Sequence, residues 1–451
     1  MFALPALRYD KMNKGTFKGG VHPYEGKELS MDKPTVKLLP GKELVYPMSQ
    51  HIGAPSKPIV AVGDHVLMGQ KIAEASGFVS VPISASVSGT VKDIKPTLTV
   101  SGSIVDAIYI ENDEQYTPVE GLGEKRDYTK LSKQEIRDIV KEAGIVGMGG
   151  AGFPTFIKLT PKDENAIDYI IVNGSECEPY LTSDYRMMLE EGDKLVDGVR
   201  IILRLFDKAQ GVIAIEDNKP KAIEHISELV KNEDRIRVQV VRTKYPEGSE
   251  RQLIKAVTVR KINSSMLPAD AGCIVNNVDT VISIHMAVAE STPLMRRVVT
   301  VSGDAIVNPQ NFNVKTGTKY SEVLEAAGGF KVKPEKLISG GTMMGMGLFD
   351  VNIPVTKTSS ALLAFIKDPM LLVPEGPCIR CGRCVEACPE NLIPQMMMEA
   401  AERFDDASFE AISGMECMEC GSCTFVCPAG RKLTQSLKQT RRSILDNRKK
   451  K

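Results

Sequence analysis

Apolar positions change their spacing along this chain, and each change marks a new kind of element. Up to about Asp127 they come in short β-like runs, at 35–39, 59–62, 71–75, 89–94 and 107–110. Turn pairs such as Gly63-Asp64 and Gly69-Gln70 separate several runs, and no helical period lasts beyond a turn or two. This predicts a small all-β module over residues 1–127. From Tyr128 helix and strand alternate. Ser132 with Glu135 forms a capping-box signature that starts a helix. Strands are expected at 169–172, 211–215 and 237–241, with helices at 186–205 and 220–231. Such alternation predicts an α/β layer on a mainly parallel sheet, residues 128–294.

A third module is expected at 295–348. A strand at 297–302 leads to a helix at 320–327, Gly328-Gly329 stops it, and an apolar stretch follows at 336–339. That order on so few residues suits a β-grasp-like fold. A connecting segment at 349–367 precedes a last module, 368–451, whose stretch 394–413 reads as helical.

Composition removes several classes. The 451 residues carry no net charge, so nothing global favours nucleic acid. No apolar stretch approaches the roughly 20 residues that span a bilayer, and Met1 to Asp10 shows no secretory pattern. The chain reads as soluble and cytoplasmic. Its methionines, clustered at Met343-Met344 and Met396-Met397-Met398, read as core filling. The basic end, Arg448 to Lys451, reads as a solvated helix end, with an anionic lipid or acidic partner as the alternative.

Chemistry enters with the cysteines. Two runs of Cys-x-x-Cys-x-x-Cys-x-x-x-Cys-Pro, at Cys378, Cys381, Cys384, Cys388 and at Cys417, Cys420, Cys423, Cys427, hold all but two of the chain's ten cysteines. Three thiolates at this spacing wrap a corner of an iron–sulfur cube, and the fourth ligates the other cluster. One [4Fe–4S] cluster is therefore expected on Cys378, Cys381, Cys384 and Cys427. The second is expected on Cys417, Cys420, Cys423 and Cys388. Zinc favours separated Cys-x-x-Cys pairs, and disulfides favour short secreted chains. Gly382 and Gly421, each following a ligand, let the backbone approach a bulky cluster.

The stretch Gly144 to Thr155 is the richest in glycine, with Gly147, Gly149, Gly150 and Gly152 inside it. Converging N–H groups on such a loop suit an anion such as phosphate; alone, a flexible turn explains them as well. Further polar segments follow apolar runs: Asn173 to Tyr180, with Glu176 and Glu178, and Asn276-Asn277-Val278-Asp279-Thr280. Sheets of this type place ligand contacts at such strand ends.

These segments resemble a known family, the C subunits of Rnf electron-transport complexes, which are relatives of the NADH-binding flavoprotein of respiratory complex I. The family's Gly-x-Gly-Gly-Ala-Gly-Phe-Pro-Thr loop matches Gly147 to Thr155, with Lys158 at its basic position. Its Asn-x-x-Glu-x-Glu-Pro segment matches Asn173, Glu176, Glu178 and Pro179, and Asn-Asn-Val-x-Thr matches Asn276, Asn277 and Thr280. Phe17 to Pro23 and Tyr245-Pro246-x-Gly248 fit as well. Against the complex I flavoprotein the chain departs at Ser175, Cys177 and Tyr180. Segments 62–72 and 84–91 are similar to the half-repeats of biotinyl/lipoyl barrel-sandwich domains, without the carrier lysine between them.

The resemblance implies the following architecture: an N-terminal barrel-sandwich hybrid, an α/β flavin/NADH-binding domain, a β-grasp (SLBB) module and a helical two-[4Fe–4S] ferredoxin-like domain. It implies FMN on Gly147, Gly149, Gly150, Gly152, Lys158, Asn173, Asn276, Asn277 and Thr280, with NAD(H) as substrate. Glu176 and Glu178 are the expected nucleotide contacts. FMN belongs between a two-electron nicotinamide and one-electron clusters, so no residue need act as acid or base. The partners implied are the other Rnf subunits, which move ions, and the chain would sit peripherally at the cytoplasmic face of the membrane. A cobalamin-reductase-type enzyme and a non-enzymatic electron wire are the alternatives; the former places its barrel after the clusters. His22 reads as structural, Cys273 as buried and inert, and Cys177 as a residue near the flavin without a ligand set.

Overall fold

The computed structural model describes residues 15–368 and 373–449. The N-terminal stretch read for a signal and the last two lysines lie outside the described residues. Two antiparallel sheets make the first module. Glu43–Pro47, Ile104–Asn112, Gly89–Leu98 and His65–Val66 form one, and Lys57–Pro58, Lys71–Glu74 and Ile83–Ser84 the other. Leu44, Ile72, Ile83, Val91, Ile108 and Ile110 are buried between them with Tyr46, whose hydroxyl meets Ser86 Oγ at 2.8 Å. The run at 59–62 is not a strand. Its Ile59 and Val62 are 48% and 60% exposed, and the pairing strand ends one residue earlier, at Pro58. The run at 35–39 gives the strand Val36–Leu38, but this pairs in parallel with Gln310–Lys315 of the third module.

In the second module Ile236–Val241, Gln210–Glu216, Tyr169–Gly174 and Cys273–Asn277 lie in that order, all parallel. A parallel sheet must be covered on both faces, and alternate residues show it. Ile170, Val172, Ile213 and Ile215 pack with Leu195, Val199, Ile202 and Val281 on one side. Ile171, Ala214, Val241 and Val275 pack with Leu253 and Ile254 on the other. The single helix expected at 186–205 is two, Ser183–Glu190 and Gly192–Leu203. The chain breaks at Glu191 (φ −125°, ψ 27°), and a Cβ at Gly192 would stand 2.8 Å from His225 Nε2. A short-range kink that needs a distant histidine leaves no periodic signal.

A six-stranded sheet builds the third module, in the order Val36–Leu38, Gln310–Lys315, Arg296–Ser302, Ala361–Phe365, Lys336–Ser339, Met346–Gly347. The stretch 349–367, expected as a connector, thus supplies an interior strand. Ala361–Phe365 runs parallel to Arg296–Ser302 and antiparallel to Lys336–Ser339, buried at all but its last residue. Helix Tyr320–Ala326 covers the sheet, and Gly328 and Gly329 (φ 80° and 75°) follow it in left-handed backbone.

The cysteine-bearing module is helical: Arg383–Ala387, Pro394–Glu402, Asp406–Ala411, Ser422–Phe425 and Leu433–Lys449. The stretch 394–413 is broken at Phe404, where φ is 55°. Met397, Met398, Phe409, Leu437 and Ile444 are buried while Met396 is 47% exposed, so this methionine cluster is mostly core. Among the described residues no helix is long and apolar enough to cross a membrane.

Candidate functional site

The carboxyl edge of the parallel sheet gathers most of the singled-out polar residues. Asn173 and Asn277 are direct neighbours on adjacent strands, as are Val172 and Asn276. Helix Val278–Ala289 starts at once, capped by Asn277, which accepts the Asp279 N–H at 2.9 Å. From its first turn Thr280 Oγ1 accepts the Met148 N–H at 3.0 Å, pinning the glycine loop over this edge. Gly147 N–H closes the loop on Phe153 O at 2.9 Å. A Cβ at Gly149 would stand 3.0 Å from the Cβ of Asn277, while nothing approaches one at Gly150 within 4 Å. Gly152 needs its glycine twice over: φ is 74°, and a Cβ would meet Thr358 at 2.8 Å. Lys158 Nζ donates to Val275 O at 3.0 Å and lies 3.7 Å from Glu250. Loop, lysine, amides and threonine therefore converge on one end of the sheet.

A chemical demand remains at that end. Asn276 is 2% exposed, yet neither atom of its side-chain amide has a hydrogen-bond partner among the described residues. The hydroxyls of Ser175 and Thr155 are in the same state. Buried polar groups are bonded as a rule, so these donors and acceptors match a polar ligand. Flavin mononucleotide, with ring carbonyls, a ring N–H, ribityl hydroxyls and a phosphate, fits them and the glycine loop.

Glu176 and Glu178 are placed differently from the amides. Glu176 (φ 48°) is buried, accepts the Asp184 N–H at 2.7 Å and lies 3.9 Å from Lys27 Nζ. Asp184 in turn accepts from Asn277 Nδ2 at 2.6 Å. Glu178 accepts the N–H groups of Met343 and Met344, both at 3.0 Å, from a turn of the third module. Burial pushes its carboxyl up to about 7. Lys27 fastens the whole bend by donating to Glu176 O, Glu178 O and Leu181 O at 2.8, 3.1 and 2.6 Å. Both acids thus hold the strand-end loop to its surroundings.

Sequence reading missed several buried charges here. Lys219 pairs with Glu216 at 3.1 Å, both 1% exposed at the side chain. Arg297 bonds Asp279 and lies 2.9 Å from Met148 Sδ, tying the glycine loop to the third module. Glu247 is wholly buried, neither carboxylate oxygen has a hydrogen-bond partner among the described residues, and burial, then Glu216, raises its carboxyl to about 9. Glu216, at the end of its strand like Asn277 in Cys273–Asn277, carried the one usable signal.

Cys273 is buried in an apolar cluster. Cys177 accepts the Gly248 N–H at 3.3 Å, and Gly248 O accepts from Asn173 at 2.7 Å. The remaining cysteines line two cavities: Cys378, Cys381, Cys384 and Cys427 one, Cys388, Cys417, Cys420 and Cys423 the other. The two cysteine loops repeat one backbone. Arg380 and Gly382 have φ 55° and 79°; Glu419 and Gly421 have 59° and 85°. A Cβ at Gly382 would meet nothing within 4 Å, so left-handed backbone, rather than close approach within the protein, accounts for this glycine. Four cysteines lining each cavity suit a cubane cluster. The cavities differ in exposure, since Cys378 and Cys381 are exposed while Cys420 and Cys423 are buried.

Four family models match the chain in order. They are the RnfC barrel sandwich hybrid domain over 15–115, the Nuo51 FMN-binding domain over 140–286, the SLBB domain over 298–347 and a 4Fe-4S dicluster domain over 377–431. A relative from Clostridium ljungdahlii, the C subunit of its proton-translocating ferredoxin:NAD(+) oxidoreductase complex, is 45% identical over 85% of this chain and 83% of its own. The C subunit of the Na(+)-translocating complex from Acetobacterium woodii is 40% identical over 97% of this chain and 98% of its own. Among solved structures, an air-oxidized NAD+-reducing [NiFe]-hydrogenase shares the fold, with TM-score 0.51 and 18% identity over 72% of this chain and 65% of that one. With its FMN-binding and dicluster domains, this chain belongs to the RnfC family, the C subunits of ion-translocating oxidoreductase complexes.

Proposed function

We propose that the chain exchanges electrons between NAD(H) and two [4Fe–4S] clusters by way of an FMN at the carboxyl edge of its parallel sheet. It acts as the peripheral, cytoplasm-facing member of a ferredoxin:NAD+ oxidoreductase whose other subunits move ions. Bound there, FMN takes electrons in pairs from nicotinamide and releases them singly. The backbone of Gly147, Gly149, Gly150 and Gly152 holds its phosphate with help from Lys158. Asn173, Asn276, Asn277 and Thr280 orient it. Glu176 and Glu178 serve the nucleotide by fixing the loop that carries Asn173 and Cys177.

The route leads first to the cluster of Cys388, Cys417, Cys420 and Cys423, then to that of Cys378, Cys381, Cys384 and Cys427. One observation carries this order. Cys177 packs, partly buried, against the apolar cluster that contains Cys420, so the first cavity adjoins the strand-end loop of the flavin site. The second cavity has the exposed cysteines, the side on which a partner protein can receive or deliver electrons.

Purified chain should contain equimolar FMN and two clusters' worth of iron, and NADH should bleach the flavin absorbance before the cluster absorbance. A preparation with full iron, no flavin and no response to NADH would leave a plain electron wire instead.

A further inference from the structure

The arm at residues 15–22 is the most distinctive segment that this function leaves unexplained. It runs along the flavin domain and under the cluster module. Gly15 bridges Val241, and Val21 pairs with Tyr245 through N–H···O bonds of 2.8 and 3.0 Å. Between these points Gly20 N–H donates to Ala387 O at 2.9 Å, reaching the cluster module. Gly19 and Gly20 have φ of 85° and 82°. A Cβ on Gly19 would stand 2.6 Å from Cys388 O, and one on Gly20 would stand 2.7 Å from Tyr245 O. No side chain fits at either place without moving backbone. Lys244 Nζ, 4.1 Å from the centre of the Phe17 ring, holds the start of the arm.

Tyr245, 2% exposed, stands where the arm, the flavin domain and the cluster module meet. Its hydroxyl donates to Cys420 O at 2.7 Å. Its ring packs in one cluster with Val21, Ala387, Cys420 and Cys177. Other ties between the modules include ion pairs, such as Arg251 with Glu390 and Glu416 at 3.6 and 3.3 Å, which reach residues other than the cysteines. The arm and Tyr245 instead touch the backbone at Cys388 and at Cys420, two of the four cysteines around one cavity.

We propose that the arm's Gly19-Gly20 and Tyr245 are positioning residues for electron transfer. The glycines fix the separation between the flavin face and the nearer cluster, and the tyrosine hydroxyl tunes that cluster's potential. This rests on the reading of the Cys388, Cys417, Cys420, Cys423 cavity as a [4Fe–4S] site. The step is a single-electron transfer from reduced flavin to oxidised cluster, and no bond between heavy atoms forms or breaks. A hydroxyl donating to the Cys420 carbonyl offsets negative partial charge beside the cluster, which favours the cluster's more negative, reduced form. Loss of the Tyr245 donor should therefore make that cluster harder to reduce.

The test uses the full chain loaded with FMN and clusters, as Tyr245→Phe and Gly20→Ala. Tyr245→Phe should keep its iron and flavin. In an EPR redox titration with dithionite and mediators, one cluster's midpoint should move negative while the other stays. Gly20→Ala should keep NADH bleaching of the flavin but slow the following cluster reduction by roughly tenfold or more, since small misplacements of reacting centres are costly. Unmoved midpoints, or equal shifts in both clusters, overturn the tuning role; an unchanged flavin-to-cluster rate in Gly20→Ala overturns the spacing role. Should Gly20→Ala fail to assemble, the Tyr245→Phe rate replaces it, and an unchanged rate there counts against the proposal. If NADH fails to bleach even the unaltered chain, the nicotinamide reading fails, while the titration, which needs neither NADH nor FMN, still judges the tyrosine.

Discussion

Lys357 offers a sharp test of how the modules are joined. It is 1% exposed, and its ammonium donates to Pro82 O in the barrel at 2.6 Å and to Gly144 O at the start of the glycine stretch at 2.7 Å. Burial alone lowers its pKa from 10.5 to about 7. A folded-state value below the unfolded one means the folded chain binds fewer protons, so stability rises with pH between those limits. The contribution is complete above the unfolded value of 10.5 and is lost as pH falls toward about 7. Each unit is worth about 1.4 kcal/mol, and between roughly pH 7 and pH 9 the gain integrates to about 2 kcal/mol. Lys357→Met removes this dependence and also strips two carbonyls of a donor, so its absolute stability mixes effects. The difference in pH slope between the two proteins isolates the ammonium. Urea unfolding of the cluster-free chain, followed by far-UV circular dichroism because the chain lacks tryptophan, would read it. Parallel pH profiles for the two proteins would refute the reasoning.

Other perturbations address the sites. Cys427→Ser should cost mainly the cluster of Cys378, Cys381 and Cys384, and Cys388→Ser that of the other run; EPR of each variant would show the reverse if the runs do not exchange ligands. Asn276→Val removes a buried amide that has no hydrogen-bond partner among the described residues. The flavin-free protein should therefore gain about 1–3 kcal/mol while FMN retention weakens, checked by urea titration and by flavin release; a loss on both counts would argue against a ligand-facing amide. Asp279→Asn leaves Arg296 and Arg297 without their shared carboxylate in a buried site. It should destabilise by about 3–5 kcal/mol, measurable as a large drop in melting temperature.

What the sequence disclosed, and what it hid, divides by range. Cysteine spacing and the Ser132–Glu135 box act over a few residues, so they could be read directly, and the box is present in the structure. The parallel sheet followed from apolar runs that are buried on both faces. Partners were a different matter. The run at 35–39 announced a strand but not its neighbour at Gln310–Lys315, because pairing is decided by packing far along the chain. The bend around Glu176 and Tyr180, with φ of 48° and 67°, redirects two carboxylates with no glycine at either left-handed position. Buried lysines such as Lys219 and Lys357 look like ordinary surface residues until the fold encloses them.

The make-up of the six-stranded sheet has a consequence for biosynthesis. Its strands come from near residue 36, from 296–347 and from 361–365, so closure waits for a segment translated late. The barrel's own strands are complete by Asn112 and can pack on the ribosome well before. A nascent chain released at residue 348 would expose Arg296–Ser302 and Lys336–Ser339 along edges meant for Ala361–Phe365, and open edges invite aggregation. Such a truncation should be insoluble, whereas one ending past residue 368 should stay in solution, a difference that centrifugation of an in vitro translation would reveal. The order of synthesis thereby holds back the cluster-bearing module until the body that must receive it is closed.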